Sequence, residues 1–416
     1  MTDPRRYREL AEASWRWTLD QVHYDEDGPW IPLTPSDAEP AWDRDGMHSG
    51  VGGLAHALAE IARTRPWTAE ESALATAVGV RLRAVTPAAT DVTFFDGLVS
   101  HLQCLVLLGE PGADACVDRL LELAPDRWPE GNDATLGVAA ILLGALTAVE
   151  AGAPRGPELA TYAADRLLAE AEETPSGLNW LFVPRRLVPP DKLDQGRPVE
   201  MPNWSHGLAG IAGVLARAGV ELSRADLVDA ARLGAEHLVT LADPAALDAG
   251  GFAVARRIPH KPDHDEFTWN WCHGPAGTLG LFEALGAAGV AEIAGETPTA
   301  YVGRCLHSLR TSGIPERRWP GFWDNDGRCC GTAGVGAAVL PHDPAFALVL
   351  ADDLVERAHV EDDRAYWRFV EHRSPEPLLP PGLGWMQGAA GISAYLFQAA
   401  LSPLRPISPI SPMSPT

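Results

Sequence analysis

The sequence predicts an all-α fold in which a ring of about seven inner helices is wrapped by seven outer helices. Two observations predict it. A Gly-x-x-Gly turn, or a reduced form that keeps only the first glycine, recurs along the chain, and an apolar run follows each copy. More polar, amphipathic stretches separate these runs. Alternation of buried and half-exposed helices is typical of a two-layered helical architecture.

The seven glycine turns mark the predicted starts of the inner helices. The runs that follow them, such as 211–216, carry small apolar residues on every side, as expected of a helix buried among neighbours. Glycine permits both a tight turn and close approach of the backbone to another helix. The first glycines of the seven copies are Gly50, Gly97, Gly137, Gly207, Gly274, Gly331 and Gly388.

The amphipathic stretches at 68–83, 158–172 and 224–241 are predicted to be outer helices. The spacing of the turns is irregular: 40 residues separate Gly97 from Gly137, and 70 separate Gly137 from Gly207. An open solenoid repeats more regularly. A closed α/α toroid fits better, because no unit of a ring needs a special cap.

Three loops hold the extra length, at 174–202, 250–270 and 359–384. Each precedes an inner helix, so we expect all three on one face of the ring. Loops carried by a rigid scaffold are where binding and catalytic residues concentrate.

The residue just before each first glycine is polar or metal-binding in six of the seven copies, although the helices that follow are apolar. If the inner helices are parallel, these side chains converge at one mouth of the ring, as polar groups from distant segments do in an active site. In chain order they are Ser49, Asp96, Leu136, His206, His273, Cys330 and Gln387.

Three cysteines lie at equivalent positions before two of these glycines. Soft sulfur ligands at the ends of separate helices are what a zinc site with an open fourth position requires. We therefore predict one zinc ion per chain, held by Cys272, Cys329 and Cys330, with a vicinal disulfide between the last two as the alternative. The remaining cysteines lie in helical stretches and are expected to be buried thiols: Cys104, Cys116 and Cys305.

These motifs resemble those of the lanthionine synthetase C-like cyclases, an α/α-toroid family that binds one zinc. The resemblance runs from about residue 48 to residue 400. The Trp-Cys-His-Gly run at 271–274 is similar to the family's Trp-Cys-x-Gly ligand motif. The Cys-Cys-Gly run at 329–331 stands where most members have Cys-His-Gly, so Cys330 would replace a histidine ligand. Some promiscuous members share this variant.

The resemblance also implies an acid/base group. The Ser-His-Gly run at 205–207 is similar to the family's His-Gly motif, whose histidine is a proposed acid/base, which points to His206. A histidine that only bonds a carbonyl at the helix end is the alternative. His273 is either an auxiliary group at the metal site or a loop histidine without a role.

In the family an aspartate before an early inner helix is thought to orient that histidine. Here Asp91 and Asp96 both precede Gly97, and we predict that one of them supports His206. Either could instead be a helix N-cap. Some members carry an arginine four residues before the first zinc cysteine. Thr268 stands there, so that role is absent or passes to Arg256 or Arg257.

The activity implied by the resemblance is that of a zinc-dependent lanthionine synthetase. Zinc deprotonates a coordinated thiol, whereas a free thiol with a pKa near ~8.5 is mostly protonated at neutral pH. The thiolate would add to the β-carbon of dehydroalanine or dehydrobutyrine in a ribosomal precursor peptide. His206 would then protonate the α-carbon and complete a (methyl)lanthionine thioether.

Other functions stay open at this point. The same fold could add a free thiol such as glutathione to dehydro residues, or act as a non-catalytic scaffold. A toroidal glycosidase would need a pair of carboxylates at the mouth, and only Asp96 lies there. Because the first inner helix starts near residue 50, dehydration of the peptide is expected from a separate dehydratase or kinase/lyase.

Composition sets the remaining expectations. We predict one toroid domain over 1–401 and a disordered Ser/Pro-rich tail over 402–416. A formal charge of −23 argues against nucleic-acid binding. The chain has no long apolar run and no apolar signal core at its start, so a cytoplasmic location without a transmembrane segment is expected. Its six cysteines then suit metal ligation or burial.

Overall fold

The structure, a computed structural model, describes residues 3–124, 128–194, 196, 198–262, 265–316, 325–371 and 375–401. These residues form fifteen α-helices and four two-stranded sheets, so the all-α prediction is confirmed. No helix in the described part of the chain is both long and apolar enough to cross a bilayer. The tail predicted to be disordered lies outside the described residues.

Seven helices begin one residue after the seven predicted glycines, as the repeat pattern requires. They are α2 (Val51–Thr64), α4 (Leu98–Leu108), α6 (Val138–Glu150), α8 (Leu208–Glu221), α11 (Pro275–Ala287), α13 (Thr332–Val339) and α15 (Ala389–Leu401). Seven further helices, the predicted outer layer, alternate with them along the chain. They are α1 (Pro4–Leu19), α3 (Ala69–Val85), α5 (Ala113–Leu123), α7 (Gly156–Ala169), α9 (Ala225–Thr240), α12 (Pro298–Thr311) and α14 (Pro344–Arg357). A short helix, α10 (Pro244–Asp248), follows α9.

In the copies that keep it, the second glycine of the turn is required for a steric reason. A Cβ at Gly210 would lie 2.0 Å from the carbonyl oxygen of Trp204, and one at Gly334 would lie 1.8 Å from that of Arg328. In both copies the chain folds back so that the carbonyl six residues upstream touches the first turn of the inner helix. The loop before the helix is therefore held against the helix end.

Antiparallel hairpins follow three of the outer helices within a few residues, and a fourth lies further on. The pairs are β1 (His23–Asp25) with β2 (Gly28–Trp30), β3 (Glu172–Thr174) with β4 (Gly177–Asn179), β5 (His359–Glu361) with β6 (Arg364–Tyr366), and β7 (Arg368–Val370) with β8 (Leu378–Pro381). Just after two of them a buried indole N–H donates to the preceding outer helix: Trp180 to the Leu167 carbonyl at 2.7 Å, and Trp367 to the Leu354 carbonyl at 2.9 Å. Each bond satisfies a carbonyl near the helix end.

The described residues group into two compact units. The first takes its residues from 1–89, 95–112 and 313–416, and within it α15 packs on α1 and on α2, while α2 also packs on α4. The second takes 90–94 and 113–312, and within it α8 packs on α9 and α11, while α6 packs on α7. The single domain over 1–401 stays a prediction.

A buried carboxylate ties α1 to α3 in the first unit. Glu71, 1% exposed, accepts hydrogen bonds from the Trp15 indole and from both terminal nitrogens of Arg65, all at 2.7 Å. It also accepts from the Thr68 N–H at 2.7 Å, which completes a capping box. Burial acts to raise the pKa of the Glu71 carboxyl, but the bonds from Arg65, Thr68 and Trp15 outweigh it, and the pKa lies below its usual value.

Replacing Glu71 with alanine is expected to lower the free energy of unfolding by about 2 kcal/mol, because the buried Trp15 indole loses its acceptor and Arg65 keeps only Glu12 as a carboxylate partner. A lowered pKa stabilises only where the carboxylate is ionised. The difference in unfolding free energy between the wild type and Glu71→Ala should have its full size above pH ~4.3, the unfolded-state pKa of a glutamate. It should shrink as the pH falls through the lower folded-state pKa of Glu71. Urea unfolding at pH 7 and pH 3 measures it. Glu70→Ala, at the exposed neighbour, is the control, and equal midpoints for all three proteins at pH 7 would contradict the prediction.

Candidate active site

His206 and a buried carboxylate form a close pair in the second unit. His206 lies in the turn before α8, and its Nδ1 is 2.5 Å from Oδ2 of Asp133 and 3.1 Å from Oγ1 of Thr135. Asp133 is 0% exposed, whereas the His206 side chain is 27% exposed. The hydrogen bonds that the structure gives to His206 are all made by Nδ1. Nε2 is therefore the nitrogen available to exchange a proton with a substrate.

Both oxygens of Asp133 are held in place. The Thr135 hydroxyl donates to Oδ2 at 2.9 Å, and the Leu136 N–H donates to Oδ1 at 2.9 Å. These donors lie in the same turn before α6, so local hydrogen bonds hold the carboxylate independently of His206. A fixed carboxylate on Nδ1 selects the imidazole tautomer and orients the ring.

The carboxylate on His206 is neither of the two predicted from the resemblance. Asp91 is exposed, and its Oδ1 accepts from the Thr93 N–H at 2.7 Å, so it caps its own turn. Asp96 lies in the first unit, where it hydrogen-bonds Asp43, a buried residue whose pKa burial raises to about 6. The expected pairing of His206 with Asp91 or Asp96 is therefore replaced by one with Asp133.

A sequence signal for Asp133 exists. Four residues before the first glycine, three successive copies of the turn carry a short polar side chain: Asp133, Asn203 and Asn270. The Asn270 side chain accepts from the His273 N–H at 2.9 Å, which is the same bond that Asp133 makes with Leu136. The predicted site residues came from the position next to the glycine, so Asp133, three residues further upstream, was not among them.

The turn of His206 lies directly beside the turn of Cys272. The Ser205 N–H donates to the Cys272 carbonyl at 2.9 Å. The His206 ring is 5.5 Å from the His273 ring and 5.3 Å from the Phe182 ring, centroid to centroid. The predicted acid/base and the first predicted metal ligand thus belong to one local site of the second unit.

The three residues considered for the role of the family's arginine all make other contacts. Thr268 donates to the His273 carbonyl at 3.1 Å and so closes the Cys272 turn. Arg257 pairs with Asp194 at 2.6 Å. The Arg256 N–H donates to the Glu266 carbonyl at 2.7 Å, which ties the long loop together.

The cysteine pair lies in the turn before α13 in the first unit. The Cys329 N–H donates to the Met386 carbonyl at 2.9 Å. Arg328 stacks over the Trp385 ring at 4.2 Å from its centroid. Burial lowers the pKa of Arg328 to about 10, and the guanidinium stays protonated at neutral pH. These contacts fix the backbone on which Cys329 and Cys330 are carried.

The cysteines of the chain are all in the reduced form. None of the six cysteines forms a disulfide, and Cys104, Cys116 and Cys305 are buried as predicted. Of the other three, Cys272 is buried in the second unit, and Cys329 and Cys330 are half-buried in the first. The Cys329 and Cys330 sulfurs are 3.4 Å apart, well beyond the ~2.05 Å of a disulfide bond. Zinc with ~2.3 Å bonds in a tetrahedron spaces its sulfurs by about 3.8 Å, so the Cys329 and Cys330 sulfurs fit two ligand positions of one ion.

Comparison with known proteins identifies the family. A family model described as lanthionine synthetase C-like protein matches residues 41–403. The chain belongs to this family. Among solved structures, one titled nisin cyclase matches with a TM-score of 0.57 and 13% sequence identity, covering 86% of this chain and 89% of that chain. This likeness confirms the predicted α/α-toroid fold. Among curated protein sequences, none matches the chain.

Proposed function

We propose that this lanthionine synthetase C-like protein is a zinc-dependent peptide cyclase. It adds cysteine thiols to dehydroalanine or dehydrobutyrine in a ribosomal precursor peptide and forms (methyl)lanthionine rings. The observation that carries the proposal is the His206–Asp133 pair beside the Cys272 turn. Family membership and the likeness to a structure titled nisin cyclase support it.

The proposed ligands of the zinc ion are Cys272, Cys329 and Cys330, each of which lies one or two residues before a first glycine. Bound there, zinc would keep a substrate thiol in its thiolate form at neutral pH. A cytoplasmic location, where thiols stay reduced, suits such a site.

The proposed role of His206 is to supply the proton that ends the reaction. When a thiolate bonds to the β-carbon, the double-bond electron pair moves toward the carbonyl and leaves an enolate. Protonated His206 donates from Nε2 to the α-carbon, while the Asp133 carboxylate stabilises the charged ring through Nδ1. The thioether is then complete and the imidazole is neutral, ready to be reprotonated from solvent.

The long loops of the second unit favour a peptide over a small thiol as the main substrate. Glu200 and Ile258 exchange backbone hydrogen bonds, both at 2.8 Å, and so join the loops that lead to His206 and Cys272. Asp194 and Arg257 join the same loops at 2.6 Å. Paired loops of this length are more than a connection needs, and their proposed role is to bind a chain of residues.

The direct assay incubates a peptide dehydrated by a separate dehydratase or kinase/lyase with the purified protein, alkylates the remaining thiols, and weighs the product. Ring closure consumes thiols without changing the mass before alkylation. A gain equal to glutathione, when glutathione is supplied, would show the alternative thiol-adding activity. If dehydrated peptides from several precursors are unchanged, the proposed cyclase activity is wrong.

A further inference from the structure

Leu136 departs from the polar pattern of the residues that precede the first glycines. It stands next to the first glycine of its copy, where the other six copies carry a polar or metal-binding residue. Its side chain is 40% exposed, although leucine gains most when it is buried. Leu136 is therefore an exposed apolar side chain where the equivalent positions are polar.

The surroundings of Leu136 connect it to the proton donor. Its N–H bonds Oδ1 of Asp133 at 2.9 Å, and Oδ2 of the same carboxylate bonds His206. The preceding residue, Thr135, also contacts His206, at 3.1 Å. Leu136 is therefore fixed to the backbone that positions the acid, and a change of its side chain leaves those bonds in place.

Phe182 adds a second apolar surface at the same place. Its ring lies 5.3 Å from the His206 ring, and its carbonyl accepts from the Asn132 N–H at 3.0 Å. Val183, the next residue, is exposed. The His206 ring thus lies beside an aromatic ring. Asp133 bonds both His206 and the backbone of the exposed Leu136.

We propose that Leu136 and Phe182 form a specificity subsite that receives an apolar side chain directly flanking the dehydrated residue of the substrate peptide. The inference rests on the proposed function and deepens it. It applies to either thiol source, because both reactions use the same dehydrated acceptor.

The occupant follows from distances and from polarity. A proton donor must come within ~3 Å of the α-carbon that it protonates. The neighbouring α-carbon in the peptide is only ~3.8 Å further on, so its side chain falls among the residues beside His206. The side chain that bonds the Leu136 N–H is Asp133, which is buried and already engaged at both oxygens. A charged flanking side chain would lose water there without gaining a partner, whereas an aliphatic or aromatic one would bury its surface.

The test uses matched dehydrated peptides that differ only in the flanking residue, with leucine, glycine or glutamate placed first before and then after the dehydrated position. For the wild type, leucine at one flank is expected to lower KM about 10-fold relative to glycine, the effect of burying part of one side chain. Leu136→Ser should reduce that preference to about twofold or less, and Leu136→Met, which conserves volume, should keep it.

A control variant separates this effect from a general loss of surface apolarity. Val220 is exposed (48%) in the last turn of α8, at the opposite end of that helix from His206. Val220→Ser should keep both the activity and the preference of the wild type. Phe182→Ala should weaken the preference as Leu136→Ser does.

Binding is measured alongside turnover, with the same peptides carrying alanine in place of the dehydrated residue and a fluorescent label. A leucine preference in Kd that Leu136→Ser abolishes supports the subsite even if no peptide reacts, in which case only the proposed chemistry fails. Peptides that react with the same leucine preference in wild type and Leu136→Ser overturn the subsite and leave the chemistry intact. Equal binding of the leucine, glycine and glutamate peptides by the wild type also overturns it.

Discussion

Replacing Cys330 with alanine is expected to remove most of the zinc from the purified protein and to abolish ring formation. Three thiol ligands share the proposed site, and two thiolates with water in place of the third bind zinc far more weakly. Elemental analysis of protein made under reducing conditions measures the metal. One zinc per chain is expected for the wild type and much less than one for Cys330→Ala.

Two further variants make the result specific. Cys330→His restores a nitrogen ligand of the kind that most family members are expected to carry, and should retain zinc. Cys116→Ala removes a fully buried thiol outside the cluster and should also retain it. Wild-type protein without zinc would contradict the cyclase and the thiol-adding enzyme together. Full zinc in Cys330→Ala would show that the ion is held elsewhere.

Five of the seven inner-helix starts could be predicted because a local steric rule repeats, and the other two copies keep only the first glycine. The turn places a carbonyl against the helix end, as at Gly210 and Gly334, where a Cβ would collide with it. Such a rule acts within about seven residues and leaves its mark in a short motif. The hairpins have no such repeated motif. Two of them are followed by a tryptophan that bonds a helix carbonyl 13 residues upstream, as Trp180 bonds Leu167.

The candidate site was predictable only where its residues touch the glycine repeat. His206 and Cys272 lie one and two residues before a first glycine, and the structure sets their turns side by side. Asp133 is 73 residues from the histidine that it bonds, and no local pattern joins the two. In its copy the position next to the glycine is taken by Leu136, so the carboxylate comes from further back in the turn.

His206→Asn is expected to slow cyclisation by roughly 10²-fold or more, the usual scale for a lost proton-transfer group. The variant should keep its zinc, because His206 is not among the proposed ligands. Single-turnover assays on a dehydrated peptide, with elemental analysis of the same preparation, measure both. A wild-type rate would make His206 a structural residue, and a loss of zinc would place it at the metal instead.

Asp133→Asn is expected to slow the same step by about 10²-fold, since an amide keeps the shape of the carboxylate but not the charge that stabilises the protonated imidazole. Asp91→Asn serves as the matched control: Asp91 is an exposed aspartate that caps its own turn, and its loss should leave the rate near that of the wild type. Equal slowing in both variants would point to a general effect of carboxylate loss and would contradict the pairing seen in the structure.

Combining the two substitutions isolates how Asp133 acts. If the carboxylate works only by orienting and charging His206, the double variant His206→Asn/Asp133→Asn should be no slower than His206→Asn, because residues that act as a unit are strongly non-additive. Multiplied effects would instead mean that Asp133 acts on the substrate independently of the histidine. Since Asp133 is fully buried and bonded by Thr135 and Leu136, and its shortest hydrogen bond is to Nδ1 of His206, we expect the non-additive result.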